Sequence, residues 1–265
     1  MHDGVNPAVP ESTVAVTAEA VFADTLPQAE KYAELLAGSG VERGLIGPAE
    51  ADRLWERHLL NCAAVVHLLP ARCSVVDVGS GAGLPGIVIA MLMPQARVTL
   101  LEPLARRVDF LTETVAELGL ANAEVVRARA EDLAGQVAAD VVTARAVAPL
   151  DKLAGLTLGV VRPGGRVLAI KGSGAEAELA KARPVLGRLG VTDAKVVRAS
   201  GPGGGATATV VTFTAPDHRG SGLPGNQAAG HAPSRGLGPR GGRPGRPGSS
   251  AALRRGRPNS RRGGG

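Results

Sequence analysis

Ser74-Val75-Val76-Asp77-Val78-Gly79-Ser80-Gly81-Ala82-Gly83-Leu84-Pro85-Gly86 decides the fold of this chain. Val75, Val76 and Val78 are β-branched and suit a strand covered on both faces. Gly79, Gly81 and Gly83 then dispense with side chains, so backbone N–H groups at a helix N-terminus can approach a ligand closely. The following helix is expected from about Pro85 to Met93, with Pro94 closing it. The run holds G-x-G-x-G from Gly79 and G-x-G-x-x-G from Gly81. Glycine spacing alone therefore leaves a nicotinamide dinucleotide and S-adenosylmethionine (SAM) both open. Asp77, at the carboxyl end of the strand, would repel a pyrophosphate but suits a ligand carrying an ammonium and a sulfonium. A structural turn beside an exposed Asp is the plainer alternative.

Downstream, strands and helices alternate. Strands are predicted at Arg97 to Leu101, Glu124 to Arg127, Asp140 to Ala144 and Arg166 to Ile170. Helices are predicted at Leu104 to Leu118, Leu150 to Val160 and Ala175 to Leu189, the last with Pro184 as a kink, and Pro163-Gly164-Gly165 reads as a turn. Such alternation implies a parallel sheet with helices on both faces. Val191 to Val197 and Thr207 to Thr214 read as consecutive strands with no helix between them, which implies an antiparallel pair at one edge.

Upstream, residues 1–17 read as a flexible N-terminus. Residues 18–70 read as a helical cap. Its first helix spans Ala18 to Ala37, is divisible at Pro27 and is ended by the Gly38-Ser39-Gly40 turn. A second runs from about Ala49 to Leu69, between Pro48 and Pro70. The α/β domain then occupies 71–215. From 216 to 265 Gly, Pro, Arg and Ser dominate without periodicity, a composition expected to be disordered.

The formal charge of +6 conceals this division. The tail beyond Ala215 carries ten Arg, no Lys and the single acid Asp217, leaving the remainder mildly acidic. Cys62 and Cys73 are the only cysteines and suggest neither a disulfide framework nor a zinc site. The expectation is a reduced cytoplasmic protein with no metal, no signal peptide and no membrane span.

In open parallel sheets ligands bind beyond the carboxyl ends of the strands. That rule selects Glu102, placed to accept hydrogen bonds from ribose hydroxyls, and Ala130 with Glu131, placed to meet an adenine edge. It also selects Arg145 and Lys171, whose charges would face an anionic substrate; salt-bridged surface residues are the alternative. Arg57 and His58 lie on the second cap helix, where a structural role for a lone His is the plainer alternative. No metal-ligand spacing and no Ser–His–Asp order stand out.

These residues resemble the ribosomal RNA small-subunit methyltransferase G family over roughly Ala33 to Ala215. The resemblance rests on R-H-L-L at Arg57, V-D-V-G-S-G-A-G-L-P-G at Val76 and L-L-E-P at Leu100. It extends to R-R-V-D-F-L at Arg106, R-A-E-D at Arg129, A-R-A-V-A-P-L at Ala144 and I-K-G at Ile170. It implies a class I SAM-dependent methyltransferase, with a Rossmann-like, seven-stranded, mostly parallel sheet and an N-terminal helical cap. It implies methylation of N7 of one guanine in bacterial 16S ribosomal RNA, presented as naked RNA, as the small ribosomal subunit or as an assembly intermediate. The family's cofactor positions fall on Gly79, Leu84, Ala130, Glu131 and Arg145. Asp77 and Glu102 match the acidic SAM positions of the fold, and Gly81 and Gly83 complete the turn. Two departures lie in the cap: G-L-I-G-P before the second helix where N-L-T is common, and Asn61-Cys62 where D-S is common.

Guanine N7 has an accessible lone pair, so methyl transfer needs no general base and reduces to alignment and electrostatics. Arg145 is expected to place the base or shield the cofactor. Lys171, Arg57 and His58 are expected to hold RNA phosphate or guanine O6. The arginine-rich tail is expected either to add nonspecific RNA affinity or to be a passive solubilising segment. Two rivals are an NAD(P)-dependent oxidoreductase and a non-catalytic RNA-binding protein working through the tail.

Overall fold

The computed structural model describes residues 11–201 and 205–217. The tail from 218 onward and residues 1–10 lie outside the described residues.

Seven strands form one sheet: β1 (Ser74–Val78), β2 (Arg97–Leu101), β3 (Ala123–Val126), β4 (Ala139–Arg145), β5 (Val161–Lys171), β6 (Lys195–Ser200) and β7 (Thr207–Thr214). Their order is β3-β2-β1-β4-β5-β7-β6. The pairs from β3 through β5 are parallel, and β7 runs antiparallel to both β5 and β6. The two consecutive edge strands are thus antiparallel, as their sequence implied, with the later one inserted inside the earlier. Strand order reverses at β1, beside the glycine turn, and such a switch point opens a crevice at the carboxyl ends of the strands.

The period-two alternation of each strand sorts its residues between two cores. Val75, Val98, Leu100, Leu168, Ile170 and Val210 face one side, with the cap, α5 (Gly86–Leu92) and α6 (Ala105–Glu117). Val76, Val78, Val142, Val167, Val211 and Phe213 face the other, under α7 (Leu150–Val160) and α8 (Ala175–Arg188). Asp77 therefore projects to the cap side, in register with Val75.

The cap departs from the sequence expectation in three places. Helix α1 (Glu11–Phe22) begins six residues earlier than the expected end of the loose N-terminus. Pro10 precedes it and no Gly or Pro interrupts it, so packing of Ala18, Val21 and Phe22 offsets the modest propensity of its Val and Thr residues. The expected division falls before Pro27, which sits in the first turn of α2 (Leu26–Leu35). Gly38-Ser39-Gly40 does not end this helix: it continues as a π-helical turn, Leu36–Gly40, because buried Leu36 and Gly40 hold it against the core. Chain reversal comes at Gly44, whose φ of +66° admits little else. The second cap segment is a broken rod: α3 (Pro48–Ala51), a π-helical turn at Trp55–Leu60, α4 (Asn61–Ala63) and a 3-10 turn at Ala64–Leu68.

The Pro163-Gly164-Gly165 turn is also absorbed into β5, which starts at Val161. Backbone bonds from Gly164 N–H to Ala215 O and from Ala215 N–H to Gly165 O bind this stretch to the end of β7.

Candidate active site

The glycine turn leaves β1 with Gly79, Gly81 and Gly83 all at positive φ. The N–H groups of Gly79 and Ser80 both donate to Leu101 O at the end of β2, which fixes the start of the turn. Gly81 has φ +60°, and a Cβ built on it would meet nothing nearer than Gly79 O at 3.8 Å. A side chain there would fill open space above the turn rather than collide with packed atoms. That is what a cradle for a ligand requires.

Asp77 lies beneath this turn with no exposed surface. Its Oδ1 accepts from the Thr143 hydroxyl at 2.9 Å, and its Oδ2 accepts from the Gly86 N–H at 3.1 Å. Gly86 permits this approach because a Cβ would lie 2.2 Å from Leu100 Cδ2 and 2.8 Å from Asp77 Oδ2. Burial pushes the Asp77 carboxyl up to about 6, against the opposing pull of the bonds from Thr143, Gly86 and Ser80 and the charge of Arg145. The carboxylate thus stitches β1 to β4 and to the start of α5, and does not open directly toward a ligand as the sequence suggested.

Glu102 directly follows β2 and is also almost fully buried. Its Oε2 accepts from Gly81 N–H and its Oε1 from Leu104 N–H, each at 3.0 Å, while Arg107 stands 3.6 Å from Oε2. A carboxylate has about four acceptor sites, so two N–H bonds leave acceptor capacity unused. After β3, Ala130 is buried and Glu131 exposed, in a tight turn whose Leu133 N–H returns to Ala130 O. Leu84 is buried behind the glycine turn.

Arg145 ends β4 beside the end of β1, Ala144 being in register with Val78. Its guanidinium reaches into the cap: Nη1 donates to Cys62 Sγ at 3.2 Å, and Nη2 donates to Arg57 O at 3.4 Å and to His58 Nδ1. Arg57 itself is exposed at the rim. His58 is only 5% exposed, so it does not meet RNA phosphate at the surface as expected. Burial, reinforced by the charges of Arg145 and Arg57, pushes its imidazole down to about 4. The Cys62 thiol is pushed upward by burial and stays neutral.

Lys171 also differs from expectation. Its ammonium donates to Ala148 O at 3.1 Å and to Glu178 Oε1 at 2.8 Å, and its side chain is 10% exposed. Glu178 Oε1 accepts in addition from Leu150 N–H. The pair holds the Ala146–Leu150 loop from below, so this cation is spent inside the protein. That loop carries the non-glycine positive φ of Ala146, +55°, and lays Val147 over Gly79.

Tyr32, on α2, also reaches the site, a contact the sequence does not signal. Its hydroxyl donates to Ala82 O at 2.7 Å, fully buried, across 50 residues. Nothing local in the sequence signals such a bond. Tyr32, Cys62, His58, Arg145 and Asp77 together form a polar seam where cap and sheet meet.

A cleft of about 390 Å³ lined by Ser74, Arg97 and Asn122 lies at the amino ends of the strands, the wrong end of an open parallel sheet for this chemistry. Among the described residues no group of three or more His, Cys, Asp or Glu is placed to hold a metal ion. No described helix is long and apolar enough to cross a membrane.

A family model described as rRNA small subunit methyltransferase G matches residues 25–203. A Thermobifida fusca (strain YX) protein named Ribosomal RNA small subunit methyltransferase G is 55% identical over 197 residues, covering 74% of this chain and 83% of that protein. A Mycobacterium sp. (strain JLS) protein of the same name is 51% identical over 218 residues, covering 80% and 96%. Among solved structures, cofactor-bound Rv0187 from MTB aligns with a TM-score of 0.52 at 19% identity, over 80% of this chain and 99% of that one. The S-adenosylmethionine-dependent methyltransferase SibL aligns at 0.50 and 22% identity, over 70% and 62%.

Proposed function

The chain belongs to the rRNA small subunit methyltransferase G family, and from that premise we propose that it methylates N7 of one guanine in 16S ribosomal RNA, with SAM as methyl donor. The observation that carries the reading to this chain's own residues is the cradle above Gly81, bordered by Glu102 and overlooked by Arg145.

SAM, when bound, supplies an electrophilic methyl group that the N7 lone pair can attack without prior loss of a proton. The residues of this chain then have to bind, orient and exclude water rather than move a proton. The glycine turn and Glu102 take the nucleoside and amino-acid portions, with Ala130 and Glu131 bordering the base of the cofactor. Asp77 contributes negative potential from below the turn while holding its shape. Arg145 keeps two of its five N–H donors beyond those used by the cap, and these are available to guanine O6 or to a phosphate. No general base is required: the Nδ1 lone pair of His58 is taken up by Arg145, and Lys171 is consumed by Glu178. Exposed Arg57, Arg106, Arg127 and Arg129 stand around the carboxyl edge of the sheet and supply the phosphate contacts that a mildly acidic domain otherwise lacks. The RNA arrives free or within the small subunit or its assembly intermediate, in the cytoplasm.

Arg145→Ala tests this reading. Methylation of 16S RNA should fall by about 100-fold or more at saturating SAM, the scale of a misaligned reactant. Full methylation with unchanged SAM affinity would remove Arg145 from the site.

A further inference from the structure

We propose that His58 is the positioning residue for Arg145: its neutral ring accepts a guanidinium N–H at Nδ1 and so sets which Arg145 donors face the substrate. The proposal rests on the reading of Arg145 given above and deepens it.

All three acceptors on the guanidinium come from one cap stretch, Arg57 to Cys62. The direction of Arg145 is therefore set by the cap and not by β4, on which the residue is carried. The three acceptors are unequal. Arg57 O lies at the long distance of 3.4 Å, and a thiol sulfur is a weak acceptor. The imidazole nitrogen, with a full lone pair in the ring plane, is the strong acceptor of the three.

A guanidinium can only donate, so His58 Nδ1 must present a lone pair and the ring proton must sit on Nε2. The surroundings agree. The ring is 5% exposed, and Arg145 and Arg57 both oppose its protonation, with Glu50 the one carboxylate acting the other way. Glu50 Oε2 lies 3.6 Å from Nε2, beyond hydrogen-bond distance, and its side chain is 45% exposed. Nε2 is buried without a hydrogen-bond partner. Among the described residues, the ring's single hydrogen bond is the one to Arg145. A histidine kept only to hold the cap together would be expected to use both nitrogens, because a buried unsatisfied N–H costs about 1–3 kcal/mol. This one uses the nitrogen that meets the site residue. The π-helical turn at Trp55–Leu60 fits the same picture, since such turns are frequent at functional sites.

The test compares His58→Asn with His58→Gln. The Asn amide oxygen can take the place of Nδ1, whereas the longer Gln amide reaches toward the Nε2 position. We expect His58→Asn to keep kcat for 16S RNA within about fivefold. His58→Gln should lose about 10- to 100-fold in kcat, with SAM affinity within about threefold of the parent protein. The double variant Arg145→Ala/His58→Gln should be no worse than Arg145→Ala alone, because one residue acts through the other. Equal activity of His58→Gln and parent, beside an impaired Arg145→Ala, overturns this inference and leaves the Arg145 reading standing. A fully active Arg145→Ala overturns both. Equal loss in the Asn and Gln variants overturns the acceptor role. Nitrogen NMR of the histidine-labelled parent protein needs no variant to fold: His58 should show a bare Nδ1 and a protonated Nε2 at neutral pH. The opposite tautomer, or a cation, overturns the proposal.

Discussion

Asp77→Asn should abolish the pH dependence that this buried carboxyl imposes on stability. Asp77 is fully buried, and burial lifts its carboxyl from the ordinary 3.8 to about 6. Folding therefore favours the protonated acid, while the unfolded chain releases the proton near the ordinary value. The stability contribution is present in full below pH 3.8 and is lost as pH rises through about 6. The whole effect is ~3 kcal/mol, of which ~2 kcal/mol falls between about pH 4.5 and about pH 7.5. Asparagine cannot titrate and preserves both bonds: its oxygen accepts from Gly86 N–H, and its amide donates to the Thr143 hydroxyl oxygen. Urea unfolding followed through Trp55, the chain's one tryptophan, gives the stability of both proteins at each pH. Other titrating groups are common to both and cancel in the difference. The variant should gain ~2 kcal/mol on the parent between the two pH values. A difference that stays constant across that range would refute the claim that burial dominates at Asp77. A parallel SAM titration addresses function: affinity should weaken in the variant, and unchanged affinity would leave Asp77 as a structural stitch only.

Gly86→Ala should cost ~2–4 kcal/mol and lower Tm by about 10 °C in thermal unfolding, because its Cβ would strike Leu100 and Asp77 in a closed core. Gly81→Ala, in open space but at φ +60°, should cost only ~1–2 kcal/mol while weakening SAM binding at least about tenfold by calorimetry; a tight-binding Gly81→Ala protein would empty the cradle of meaning. Lys171→Met should destabilise by ~1–3 kcal/mol and leave RNA affinity at matched salt within about threefold, with Glu178→Gln restoring much of the stability. A selective loss of RNA binding in stably folded Lys171→Met would return that cation to the substrate side.

The order of strands and helices was legible because hydrophobic periodicity is local. Val75 to Val78, the Leu150–Val160 helix and Thr207–Thr214 each announce their period within a few residues, and glycine spacing marks the turn. The family was legible for the same reason, since its motifs are short and contiguous. Element ends were less so. Gly38 and Gly40 read as a stop, yet the helix passes through them, and Pro163-Gly164-Gly165 reads as a turn, yet it pairs with the end of β7. In each case a contact from a distant segment outweighed a local preference.

The roles of charged residues divide along the same line. The chain's own letters placed Glu102, Ala130, Glu131, Arg145 and Lys171 at the carboxyl ends of strands, because the position of a residue relative to its strand is a local property. Where each charge points is not. Only the folded structure turned Lys171 inward to Glu178, seated Asp77 against Gly86 and Thr143, and bound Arg145 to a histidine 87 residues away in sequence. Sequence pattern fixes which face of an element is buried. The partner that satisfies a buried charge is chosen by three-dimensional proximity, because leaving such a group unpaired costs more than any local propensity can return.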